Sequence, residues 1–76
     1  MNEATRKRLR LILEGLAAGE DARPRQWADQ FGVAEKTVKR DFALLREAGW
    51  IHGVGALKNG HYMLTEDGKR LFSNAN

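Results

Sequence analysis

Between residues 5 and 18 the apolar positions Leu9, Ile12, Leu13 and Leu16 recur at the spacing of one helical face, with charged residues between them. The pattern predicts a first amphipathic helix. Gly19 stops it, and the polar run Gly19-Glu20-Asp21 leads to Pro24, whose fixed φ suits the first position of a new helix. That second helix runs to Phe31 and buries Trp27, Ala28 and Phe31, with Gly32 allowing a sharp exit. A third helix over about 35–48 places Val38, Phe42 and Leu45 on one face and Lys36, Lys39, Arg40, Ala43 and Glu47 on the opposite one, and Gly49 closes it.

Beyond Gly49 the period shortens. Ile51, Leu57, Tyr62 and Leu64 are apolar, and Asn59-Gly60 between them is the dipeptide that two-residue hairpin turns favour. With that pair as the turn, Leu57 is expected opposite Tyr62 and Gly55 opposite Leu64, so the apolar side chains share one side. Thr65 is expected to cap a short last helix with Glu66 and Asp67 in its first turn, and Leu71 and Phe72 to pack back on the core. The expected fold is mainly α with a small β-hairpin: a three-helix core, a hairpin wing and a short C-terminal helix. One domain fills residues 1–76, its core at about 5–72 and a polar tail at 73–76. Gly15 is out of keeping, since inside a helix it costs about 1 kcal/mol relative to Ala. Close approach of another helix is the expected reason.

Composition narrows the function. A 76-residue chain holds one small core of marginal stability. Thirteen Lys and Arg against ten Asp and Glu leave a net charge of +3, which favours a polyanionic partner. Without cysteine there is no disulfide or thiolate metal site, in keeping with a cytoplasmic location. Arg6, Lys7, Arg8 and Arg10 before Leu11-Ile12-Leu13 begin like a secretory leader, but Glu14 ends the apolar run too early. No stretch approaches the roughly 20 apolar residues of a membrane span.

The inventory for catalysis is thin. Ser73 lies in the tail, no nucleophile has a base at motif spacing, and the carboxylates are scattered. Gly53-Val54-Gly55 lacks the third glycine and following helix of a dinucleotide loop. His52 and His61 have no cysteine or clustered acid to complete a metal shell and read as surface histidines. No enzyme activity, cofactor or metal is expected.

Within PRQWADQFGVAEKTVKRDFALLREAGWI, Ala28, Gly32 and Val38 stand four and then six residues apart. Ala28 is small enough for the next helix to cross over it, Gly32 makes the tight turn, and Val38 anchors the third helix against the second. The third helix is thereby held outward, as a helix entering a DNA major groove must be. In Phe31-Gly32-Val33, Thr37-Val38-Lys39-Arg40-Asp41-Phe42 and Ala48-Gly49-Trp50-Ile51 the chain resembles the winged helix-turn-helix of the DeoR-type regulators. Tyr62-Met63-Leu64-Thr65-Glu66-Asp67-Gly68 is similar to the strand-to-helix step ending many bacterial winged-helix domains, so the resemblance covers roughly residues 5–72. It implies sequence-specific binding of double-stranded DNA by a bacterial or phage transcriptional regulator. The recognition helix at about 35–48 would lie in the major groove, with the wing at 55–61 on the backbone or minor groove.

Two departures matter. Ala34 stands where the family usually has a serine, so a capping hydroxyl and phosphate donor are missing. The large sugar-phosphate-sensing domain usual in that family is not expected within these 76 residues, and no effector site is carried over.

Lys36, Lys39 and Arg40 form the face expected to meet base edges and phosphates. Thr37 beside the helix start either donates to a phosphate or caps locally. Arg6, with Lys7, Arg8 and Arg10, adds charge for the duplex backbone, and Lys58 and His61 at the wing tip reach toward a phosphate or minor groove. Turn chemistry suffices for Asn59 and Gly60. Asp41 sits at the edge of the core, where an ion pair with a basic side chain suits it better than base reading. The competing function is a winged helix that docks another protein, but such a face should carry an aromatic or aliphatic anchor. One small module offers few contacts, so a homodimer or paired binding is expected, with Leu11 as a candidate contact.

Overall fold

The computed structural model describes residues 2–20, 23–55 and 61–73. Helices α1 (Glu3–Ala17), α2 (Pro24–Phe31) and α3 (Glu35–Glu47) are followed by antiparallel strands β1 (Ile51–Val54) and β2 (His61–Leu64) and by helix α4 (Glu66–Ser73). Most helix starts are built by local side chains. Asn2 Oδ1 accepts from the Thr5 N–H at 2.8 Å before α1, and Gln26 Oε1 accepts from the Arg23 N–H at 2.7 Å before α2. Thr65 Oγ1 accepts from the Gly68 N–H at 3.1 Å, as expected of a cap, and donates to the Gly49 carbonyl at 2.6 Å. One hydroxyl thus starts α4 and ties it to the end of α3. Helix α3 itself begins at Ala34 with no side-chain cap.

The turn between α2 and α3 is made at Gly32, whose φ of +69° lies in the left-handed region that favours glycine. The Val33 N–H then donates back to the Ala28 carbonyl at 3.1 Å, the bond that closes a helix in this way. The same bond recurs past Gly49, from the Trp50 N–H to the Leu45 carbonyl at 3.1 Å.

Leu9, Ile12 and Leu13 of α1, Trp27 and Ala28 of α2, Val38, Phe42 and Leu45 of α3, and Ile51 and Leu64 of the hairpin form one buried core. Gly15 is buried within α1, where a Cβ would overlap the outer edge of the Trp27 indole. Close approach of α2 is therefore the reason for glycine in mid-helix.

In the hairpin, Ile51 pairs with Leu64, Gly53 with Tyr62 and Val54 with His61. This corrects the expected register, in which Gly55 faced Leu64 and Leu57 faced Tyr62. Leu57 and the Asn59-Gly60 pair lie outside the described residues. Pairing Ile51 with Leu64 sets two apolar side chains, 2% and 8% exposed, against each other on the core side, whereas Gly55 would offer Leu64 nothing to pack on. The second correction concerns Leu71, which is 43% exposed. The inward stripe of α4 runs through buried Gly68 and half-buried Phe72, and Leu71 falls beside it.

Asp41, 2% exposed on α3, receives Arg8 of α1, whose Nε lies 2.7 Å from Oδ2 and whose second guanidinium nitrogen lies 3.4 Å from Oδ1. The ion pair expected of Asp41 is present. Chiefly through its hydrogen bond to Asp41, opposed by desolvation, Arg8 titrates above its ordinary range and stays charged at every working pH. Among the described residues, no helix is long and apolar enough to cross a membrane.

Candidate nucleic-acid interface

Burying Val38, Asp41, Phe42 and Leu45 forces the other side of α3 outward. Lys36, Lys39 and Arg40 are all exposed there, as the periodicity implied, and Ala43 between them is half-buried. Thr37 is half-buried at the side of the first turn, with its backbone N–H bonded to the Ala34 carbonyl at 3.0 Å. Lys39 is not a lone cation: its Nζ lies 3.2 Å from Oε2 of Glu35, one turn earlier. An exposed pair of this kind stabilises a helix by only about 0.3–0.5 kcal/mol, little enough to be exchanged for other partners.

The hairpin is held against α3 by a stack of Tyr62 on Phe42, ring centroids 4.9 Å apart and planes 13° from parallel. Arg46, in the last turn of α3, donates from Nη1 to the Tyr62 hydroxyl at 3.3 Å and stands where α3 and the hairpin meet. His61 opens β2 as an exposed residue opposite Val54. Lys58 lies outside the described residues.

On α1 the expected basic cluster divides. Arg8 turns inward to Asp41 and is not available to a phosphate, whereas Arg6, Lys7 and Arg10 are exposed. Arg6 lines a groove between α1 and α4, so the structure does not gather it with the α3 cations.

Sequence reasoning missed Glu35 and Arg46. The first was signalled by the four-residue spacing to Lys39. The second was signalled only weakly, as a cation two turns beyond Lys39 on the same side of the helix.

A three-helix core whose third helix presents a solvated basic face, flanked by a two-stranded hairpin, is a winged helix-turn-helix domain. The chain belongs to the DeoR-like helix-turn-helix domain family, whose model matches residues 8–59, about two thirds of the sequence. It is therefore a DNA-binding domain of the transcription-regulator type. The crystal structure of a MarR family transcription regulator is similar in fold, with a TM-score of 0.69 at 22% identity. The match covers 92% of this chain and 52% of that one, so the chain spans about half the regulator's length. No curated protein matches the sequence.

Proposed function

We propose that the chain recognises specific sequences in double-stranded DNA as a cytoplasmic transcription regulator, with α3 in the major groove and the hairpin along the neighbouring backbone or minor groove. The observation that carries this reading is the chemistry of the outward face of α3. It holds Lys36, Lys39 and Arg40, and the exposed large apolar side chains among the described residues, Leu11, Met63 and Leu71, all lie on other elements. A face that docks a protein needs a buried aromatic or aliphatic anchor, whereas a face that reads DNA needs donors for guanine edges and cations for phosphates. Lys39 and Arg40 are assigned to base edges, and Lys36, Thr37, Lys58 and His61 to the backbone and wing contacts, while Arg6, which lines the groove between α1 and α4, is left out of that set.

Two copies act on each operator. One module of this size contacts too little DNA for tight binding, and the molecule's longest dimension, 33 Å, is about one turn of the duplex. The surface that suits a second copy is an apolar groove of about 550 Å³ between α1 and α4, floored by Leu9, Leu13, Trp50, Leu71 and Phe72. Arg10 and Glu14 line it as well, one turn apart on α1, so a two-fold partner can satisfy both charges reciprocally. Leu11 is not among the residues lining that groove.

The test is a binding selection from random duplexes. Enrichment of a motif with two half-sites about one helical turn apart is the expected result. Retention of all duplexes alike, or of none, refutes sequence-specific recognition.

A further inference from the structure

Glu35 is an acid on the element that should meet a polyanion. Its carboxylate lies 3.2 Å from Lys39 Nζ, and both side chains are largely in solvent, 45% and 63% exposed. Unpaired, such a carboxylate would weaken binding to any duplex by repelling phosphates. Paired, it sets an acceptor and a donor side by side, about as far apart as the two partners of one hydrogen bond.

The major-groove edge of a cytosine–guanine pair has the complementary arrangement. Cytosine presents its N4 amino donor next to the O6 acceptor of guanine, with N7 beyond it. Adenine also presents an amino group, but it lies between two acceptors, its own N7 and thymine O4, so the second carboxylate oxygen meets an acceptor on either side, whereas cytosine N4 has only C5–H on the side away from guanine O6. Guanine and thymine present acceptors alone at this edge, apart from the thymine methyl. Resting on the reading that α3 enters the major groove, we infer that Glu35 is a specificity-determining residue. The Glu35–Lys39 pair reads one cytosine–guanine base pair, the carboxylate accepting from cytosine N4–H and the ammonium donating to guanine O6 or N7. The cytosine amino group also offsets the repulsion between the carboxylate and the surrounding phosphates. DNA that lacks this amino group at that position meets an uncompensated anion, so Glu35 discriminates by penalising wrong sites as well as by contacting the right one.

The experiment repeats the random-duplex selection with the wild type, Glu35→Gln and Glu35→Asp, after thermal melts show that each is folded. Gln keeps the length of the side chain but adds a donor, the combination that suits adenine. Glu35→Gln is therefore expected to change one position of the motif from cytosine to adenine, by about fivefold to a hundredfold in relative affinity, the range of one good base contact. It should also bind scrambled duplex more tightly. Glu35→Asp keeps the charge but shortens the reach, and is expected to lose the cytosine preference without gaining another. If both variants enrich the wild-type motif with unchanged preferences, Glu35 serves only its own helix and the inference fails, while DNA recognition by α3 stands. If the wild type enriches no motif, the inference falls together with the reading it rests on.

Discussion

Arg8→Ala and Asp41→Ala remove the two halves of one interaction, and the structure predicts unequal costs. Arg8→Ala leaves a carboxylate that is 2% exposed without its guanidinium, a change that costs about 3–5 kcal/mol where the remaining charge has no way to water. Asp41→Ala leaves a guanidinium on a long flexible stem whose side chain is already 15% exposed. Turning outward rehydrates it, so the loss falls to about 1–3 kcal/mol, that of charge-assisted hydrogen bonds. A domain of 76 residues has roughly 4–11 kcal/mol of stability in total. Arg8→Ala therefore takes the protein close to unfolding at room temperature, and Asp41→Ala leaves it folded. Urea denaturation followed by circular dichroism measures both costs, provided the slope with denaturant is unchanged. The Arg8→Met/Asp41→Leu double variant, which replaces the pair by apolar groups, should recover most of the loss. An Asp41→Ala cost equal to or above that of Arg8→Ala, or a double-alanine variant whose cost is the sum of the two singles, would refute the account of the pair.

Gly15→Ala should destabilise the domain by about 1–3 kcal/mol despite the roughly 1 kcal/mol gain in helix propensity, because the added methyl enters the Trp27 ring; a raised melting temperature contradicts this. Leu71→Asp, on a side chain 43% exposed, should leave the melting temperature of the monomer unchanged but abolish self-association in sedimentation; a persisting dimer places the interface elsewhere. Affinity for any duplex should fall steeply with salt, with a log–log slope of about −0.9 for each phosphate neutralised, and a flat titration between low and physiological salt would remove the electrostatic basis of binding.

The helices were legible because a 3.6-residue stripe of apolar positions bounded by glycine has one reading. Leu9, Ile12 and Leu13 must share a face, and Gly32 must end what precedes it. The hairpin was legible only in part. Alternation has a period of two, so moving the partner of Leu64 by four residues, from Gly55 to Ile51, leaves every side chain on the same face of the sheet. The pattern thus identified the buried face, and tertiary packing of Ile51 decided the register. Leu71 was misplaced because an eight-residue helix offers too few turns to define the centre of its stripe. Arg8 looked like its basic neighbours, and its partner Asp41 is 33 residues away, a separation at which sequence carries no sign of contact. The Lys36, Lys39 and Arg40 face followed from helix period alone, whereas the engagement of Lys39 by Glu35 was present in the spacing and needed only the four-residue rule.

The central claim, that α3 reads sequence, is tested most directly by the ratio of affinities for the selected operator and a scrambled duplex. Lys39→Ala and Arg40→Ala, with Lys36→Ala as a backbone control, are measured after circular dichroism confirms their fold. Lys39 and Arg40 stand exposed on the outward face of α3, so at least one of the two should cost about 1–3 kcal/mol on the operator and much less on scrambled DNA, lowering the ratio. Lys36→Ala should weaken both complexes alike and reduce the salt slope by about one. A ratio that neither Lys39→Ala nor Arg40→Ala changes would contradict the assignment of α3 as the recognition helix.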